Sequence, residues 1–134
     1  MPGENAMNEL SARPDLAALL ETQYEGDEVI LKELAQLLGM RLVAYIAGFG
    51  SPDEVNAYFE GRSYRQPEIS GRLRLALRLA KFIHLVDNGN VAAWFQGLNP
   101  QLSDSSPAWL LREGDVKDIE ALLLSAARAY AIGG

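Results

Sequence analysis

Cysteine is absent from these 134 residues, and histidine occurs once, at His84. The first shortage excludes disulfides and thiolate chemistry, and it agrees with a reducing compartment. The second leaves too few nitrogen ligands for a metal site. A lone histidine within Phe82-Ile83-His84-Leu85-Val86 has no evident partner and reads as a packed structural residue. No apolar run reaches the roughly eighteen residues needed to cross a bilayer, and the amino end lacks a basic-then-apolar leader. Gly-x-Ser-x-Gly, P-loop and Gly-x-Gly-x-x-Gly patterns are all missing. The acidic pairs Asp27-Glu28 and Asp53-Glu54 fall at helix starts, where the macrodipole accounts for them without catalysis. The expectation is a soluble, cytoplasmic protein that is not an enzyme, carries no cofactor and does not associate with membranes.

Positive charge is also scarce. Twelve Lys and Arg face eighteen Asp and Glu, for a net charge of −6, so the chain as a whole is not built to coat nucleic acid. Half of that positive charge nevertheless sits in residues 62–81, as Arg62, Arg65, Arg72, Arg74, Arg78 and Lys81 against Glu68 alone. The local balance is +5, with −8 before it and −3 after. That asymmetry says more than the total.

What remains is helical. Residues 14–20 read as a short helix after a polar start. A longer pattern begins at Asp27, with Val29, Ile30, Leu34, Leu37 and Leu38 at helical spacing. Gly39 interrupts it before Leu42, Val43, Tyr45 and Ile46 resume, and a short strand over residues 42–46 stays open. Ser51-Pro52-Asp53-Glu54 is a start signal, with a capping serine, proline at the first position and acids in the first turn. From Glu68 the longest amphipathic stretch puts Ile69, Leu73, Ala76, Ala80 and Ile83 on one stripe and Arg74, Arg78 and Lys81 on another. Asp87-Asn88-Gly89-Asn90 breaks the chain. The fold class is all-α, a small helical bundle. Its expected parts are an extension over residues 1–26, a helix-turn-helix-like unit over 27–84 and a carboxy-terminal unit over 85–134.

Residues 42–49, 50–51 and 52–60 have the proportions of a helix, turn and recognition helix. The chemistry fits less well, because Asp53, Glu54 and Glu60 would bring carboxylates toward a polyanion. Asn56 is the one obvious base-reading side chain there. Arg62, Tyr64, Arg65, Arg72 and Arg74 follow as candidates to grip phosphates. The same arginines also read as the solvated face of a helix, so DNA binding stays open at this point.

The carboxy-terminal unit is the most heavily punctuated part. Gly97 reads as the left-handed cap ending a helix that contains Trp94-Phe95. Asn99-Pro100 turns the chain, Ser106-Pro107 starts the next helix, Gly114 ends it, and Asp115 caps the last. Trp94 and Trp109 are expected in the core. Val116, Ile119, Leu123, Ala126 and Tyr130 form the apolar stripe of the closing helix, widened by Leu122, Leu124 and Ala129. Only Arg128 is charged after residue 120. Such a helix reads either as packed core or as a contact for another chain.

This series, Trp94, Gly97, Asn99-Pro100-Gln101-Leu102, Ser106-Pro107, Leu110-Leu111 and Gly114, resembles the toxin-binding domain of Xre/MbcA/ParS antitoxins. The resemblance is densest over residues 85–131, weaker back to residue 37, and absent over residues 1–30. It implies an antitoxin of a type II toxin–antitoxin system whose partner is a RES-domain toxin with an NAD-binding cleft. It also implies an Xre-like DNA-binding amino-terminal half that represses its own operon, and a homodimer within a hetero-oligomer. By position, Arg128, Tyr130, Ala131, Ile132, Gly133 and Gly134 fall at the toxin cleft, with Leu111 and Arg112 as further contacts. Trp94, Pro107, Leu111 and Gly114 match the family pattern chiefly as framework. The competing expectation is a stand-alone dimeric DNA-binding regulator.

Overall fold

A computed structural model of the chain describes residues 26–60 and 66–133. The short helix expected over residues 14–20 lies outside the described residues, as do Arg62, Tyr64, Arg65 and Gly134. Seven α-helices follow in order: α1 Asp27–Leu38, α2 Met40–Ala47, α3 Pro52–Phe59, α4 Pro67–Val86, α5 Val91–Gln96, α6 Pro107–Glu113 and α7 Val116–Ala131. Short 3-10 turns at Asn88–Asn90 and Pro100–Leu102 flank α5. The described residues form no strand, and one isolated bridge joins Asn99 and Ser105. The molecule is all-α. Residues 42–46, where a strand had stayed open, lie within α2.

Three of the helix starts carry a side-chain cap. The Ser51 hydroxyl accepts from the Glu54 amide at 3.4 Å, and the Glu54 carboxylate reaches back to the Gly50 amide at 3.1 Å. The first satisfies a donor that the first turn of α3 leaves open, and the second ties Glu54 to the residue before the cap. Ser106 accepts from the Trp109 amide at 3.1 Å, and Asp115 accepts from the Lys117 amide at 3.3 Å. Tyr58, fully buried, accepts from the Gln66 amide at 2.9 Å and donates to its carbonyl at 3.2 Å. That pair of hydrogen bonds anchors the start of α4 to α3. Gly97 departs from the expected left-handed cap, since its backbone is extended at φ −77° and ψ 149°. A side chain there would crowd the Ala93 carbonyl, its Cβ lying 3.2 Å away, so the position is set by close approach rather than by backbone handedness.

α4 is the spine. Ile69, Leu73, Ala76, Ala80 and Ile83 are buried as expected, but so are Leu75, Leu77 and Leu79. A helix apolar on nearly every side belongs in the interior of a bundle, and α4 touches α1, α2, α5, α6 and α7. Asp27 and Glu33 of α1 meet Arg74 and Lys81 of α4, so those helices run parallel. Val116, Glu120 and Tyr130 of α7 meet Gly71, Arg78 and Asp87 in the same sense. One hydrophobic cluster joins all seven helices and is continuous across residues 84 and 85.

Trp94 is buried with Phe95 in edge contact at 5.1 Å. Trp109, expected in the core, is instead 47 % exposed. Its neighbours explain this: Ala108 and Leu111 turn inward, and the short α6 leaves the side chain between them on the outer face.

Gly114 joins α6 to α7 at a point of tight packing. A Cβ there would lie 2.7 Å from both Ile119 Cγ2 and the Leu110 carbonyl oxygen. The Gly114→Ala substitution is expected to destabilise the fold by about 1–3 kcal/mol, the usual cost of forced overpacking. Urea unfolding should show a lower midpoint with an unchanged slope, whereas an unchanged midpoint would contradict this packing.

Candidate functional site

The residues expected to meet a partner lie where α7 ends. Ala126 and Ala127 are its last buried positions. Beyond them Arg128, Ala131, Ile132 and Gly133 are exposed, while Ala129 and Tyr130 are half-buried. Arg128 makes no ion pair among the described residues, and Ile132 is 86 % exposed. Beside this last turn is a mostly apolar cleft of about 340 Å³, walled by Trp94, Leu98, Pro100, Ala129 and Tyr130. Leu98 is 77 % exposed on its rim.

The Tyr130 hydroxyl donates to Asp87 at 2.5 Å, and the Asn90 amide donates to both oxygens of that carboxylate at 3.0 Å. Asp87 is thereby held below its ordinary carboxylate value, first by the Tyr130 bond and then by Asn90. Tyr130 is raised in turn, chiefly by donating to Asp87. The sequence showed Asp87-Asn88-Gly89-Asn90 only as a break, and no local pattern ties it to a tyrosine 43 positions away.

Two other candidates have structural tasks at the end of α2. A helix leaves its last four carbonyls without internal partners. Here Gly48, at φ +92°, turns the chain so that the Phe49 amide reaches Ala44 O at 2.9 Å and the Gly48 amide reaches Tyr45 O at 3.1 Å. Arg112 of α6 donates to Tyr45 O at 2.7 Å. Arg72 of α4 donates to Ile46 O at 3.3 Å and Ala47 O at 2.9 Å. All four carbonyls are satisfied, and two guanidinium charges stand at the negative end of the helix. Arg112 also lies 4.7 Å over the Tyr45 ring. Burial, and then the neighbouring Arg112 charge, lowers the Arg72 pKa. Leu111, expected both as framework and as a contact, has no exposed surface and lies in the core.

The basic stripe of α4 is largely engaged within the molecule. Arg74 pairs with Asp27 at 3.5 Å, Lys81 with Glu33 at 3.0 Å, and Arg78 with Glu120. These half-exposed pairs add little net stability, but they match three of the six positive charges of residues 62–81 with carboxylates. On α3, Val55, Tyr58 and Phe59 turn inward, leaving Asp53, Glu54, Asn56 and Glu60 exposed. The position of the recognition helix thus presents one amide and three carboxylates, while Arg41 and Tyr45 are exposed on α2.

His84 is half-buried. No group of three potential metal ligands occurs among the described residues, and no helix among them is long and apolar enough to cross a membrane. The chain matches no protein-family model, no curated protein and no solved structure.

The Asp87–Tyr130 bond sets two pH limits on the anchoring of α7. Asp87 is depressed, so its contribution is in place above the ordinary carboxylate value and is lost as pH falls through the lowered folded value. Tyr130 is raised, so its contribution holds below the ordinary phenol value and is lost as pH climbs through the raised one. Replacing Tyr130 by Phe is expected to move the Asp87 titration upward, with Asn90 still holding it below the ordinary value. A carboxyl-carbon NMR titration reads this directly, and an unmoved Asp87 curve would contradict the assignment.

Proposed function

We propose that this chain is an antitoxin of the Xre/MbcA/ParS type that binds a RES-domain toxin and sterically blocks its NAD-binding cleft. The observation that carries this reading is the end of α7, an exposed helical turn bearing Arg128 and Ile132 beside an apolar cleft. An apolar centre with a single arginine suits a protein contact, where charge is sparse and Arg is a favoured anchor. The framework residues Trp94, Pro107 and Leu111 lie in the core of the same unit, which agrees with the resemblance. The action is stoichiometric, in a homodimer within a hetero-oligomer, and no catalytic step is required of the antitoxin. Cytoplasmic location belongs to the same proposal, since a RES-domain toxin acts on the NAD pool.

A stand-alone DNA-binding regulator is the second reading, favoured by the α2–α3 pair and by the exposed Asn56. The acidic face of α3 and the internal pairing of Arg74, Arg78 and Lys81 weigh against it as the main role. Operator binding fits better as a secondary activity of the antitoxin, with salt-sensitive affinity.

Co-expression with the RES-domain protein encoded beside this chain tests the first reading. Full-length protein is expected to preserve cellular NAD. Truncation after Ala127 keeps the last buried residues of α7 and is expected to fold but to lose protection. NAD depletion in both cases, with no co-purification, would overturn the antitoxin reading and leave the regulator.

A further inference from the structure

We propose that Asp87 is a positioning residue that locks the last turn of α7 in the form a protein partner meets, a role that rests on the antitoxin reading above. Past Ala127 the helix has no fully buried side chain, and its end is exposed at Arg128, Ala131, Ile132 and Gly133. A helix end in that condition frays, because its backbone bonds face water and its core contacts are few. Of residues 128–133, Ala129 and Tyr130 are half-buried, and Tyr130 packs on the core and donates a hydrogen bond to the body. Its hydroxyl meets Asp87 at 2.5 Å, just past the end of α4.

Asp87 is itself fixed. Its amide donates to Ile83 O at 2.7 Å, and its carboxylate is shared with Asn90, in the 3-10 turn that leads into α5. The carboxylate therefore ties together the end of the central helix, the turn before α5 and the end of α7. It also sets where the Tyr130 ring stands as one wall of the cleft lined by Trp94 and Leu98. A partner that grips Arg128 and Ile132 then meets an ordered turn and does not have to order it on binding. Preorganisation of this kind raises affinity without adding a contact. Asp87 itself need not touch the partner.

The test uses the full chain as wild type, Tyr130→Phe, Asp87→Ala and Asp87→Asn, with two readouts. In the free protein, amide exchange of residues 128–133 is expected to accelerate in Tyr130→Phe and Asp87→Ala, while the amides of Leu77 and Leu79 in α4 keep their protection. With the purified RES-domain protein, both variants are expected to bind about tenfold more weakly, because the turn must then be ordered on binding. Asp87→Asn retains an acceptor for the hydroxyl and is expected to recover part of the affinity. An end of α7 that exchanges no faster in Tyr130→Phe would overturn the lock. A loosened end with unchanged affinity would overturn its role in presentation. If wild-type protein does not bind the RES-domain protein, the antitoxin reading fails and the presentation role fails with it, while the exchange arm still judges the lock separately.

Discussion

Everything else in this structure depends on burying α4 on nearly all of its sides. Leu73, Leu75, Ala76, Leu77, Leu79, Ala80 and Ile83 leave almost no outward face, so the other helices must wrap around it. The stripe it cannot bury carries Arg74, Arg78 and Lys81, and the surrounding helices meet those charges with Asp27, Glu33 and Glu120. Apolar burial fixes where α1 and α7 stand, and ion pairing matches their register to a parallel course. The pairs contribute modestly to stability. Their larger effect is electrostatic, since each places a carboxylate beside a positive charge of α4.

A second constraint joins the two halves of the chain. The end of α2 is completed by Arg72 from α4 and Arg112 from α6, which share its last carbonyls with a Gly48-dependent turn. The helix-turn-helix-like pair and the carboxy-terminal unit therefore share hydrogen bonds as well as one core. A substitution at Arg112 acts on α2 across 67 positions of sequence. Arg72 and Arg112, which look available for phosphate or for a partner in the sequence, are structural caps in this packing.

Local chemistry made much of this legible in the sequence. Serine and proline starts at residues 51 and 106 declare themselves, as do the glycine interruptions and the period of the α4 stripe, because each depends on neighbours within a few positions. Long-range facts were hidden for the same reason. Leu75, Leu77 and Leu79 lie off the recognisable stripe, and only the number of helices packed around α4 shows why they are apolar. Trp109 was expected inside because indoles usually are, yet the brevity of α6 leaves it on the surface. Asp87 reads in the sequence as a turn residue, because its partner Tyr130 lies 43 positions away. At the candidate site, the end of α7 was readable from its low charge, whereas the cleft beside it required the fold.

The central claim is that the end of α7 and the adjoining cleft form the surface by which this chain engages a RES-domain toxin. Amide exchange of the chain, free and saturated with the RES-domain protein, tests it most directly. New protection is expected at residues 97–101 and 128–133, with the exposed face of α3 unchanged. Protection confined to α3 and its turn, with none at the end of α7, would contradict it.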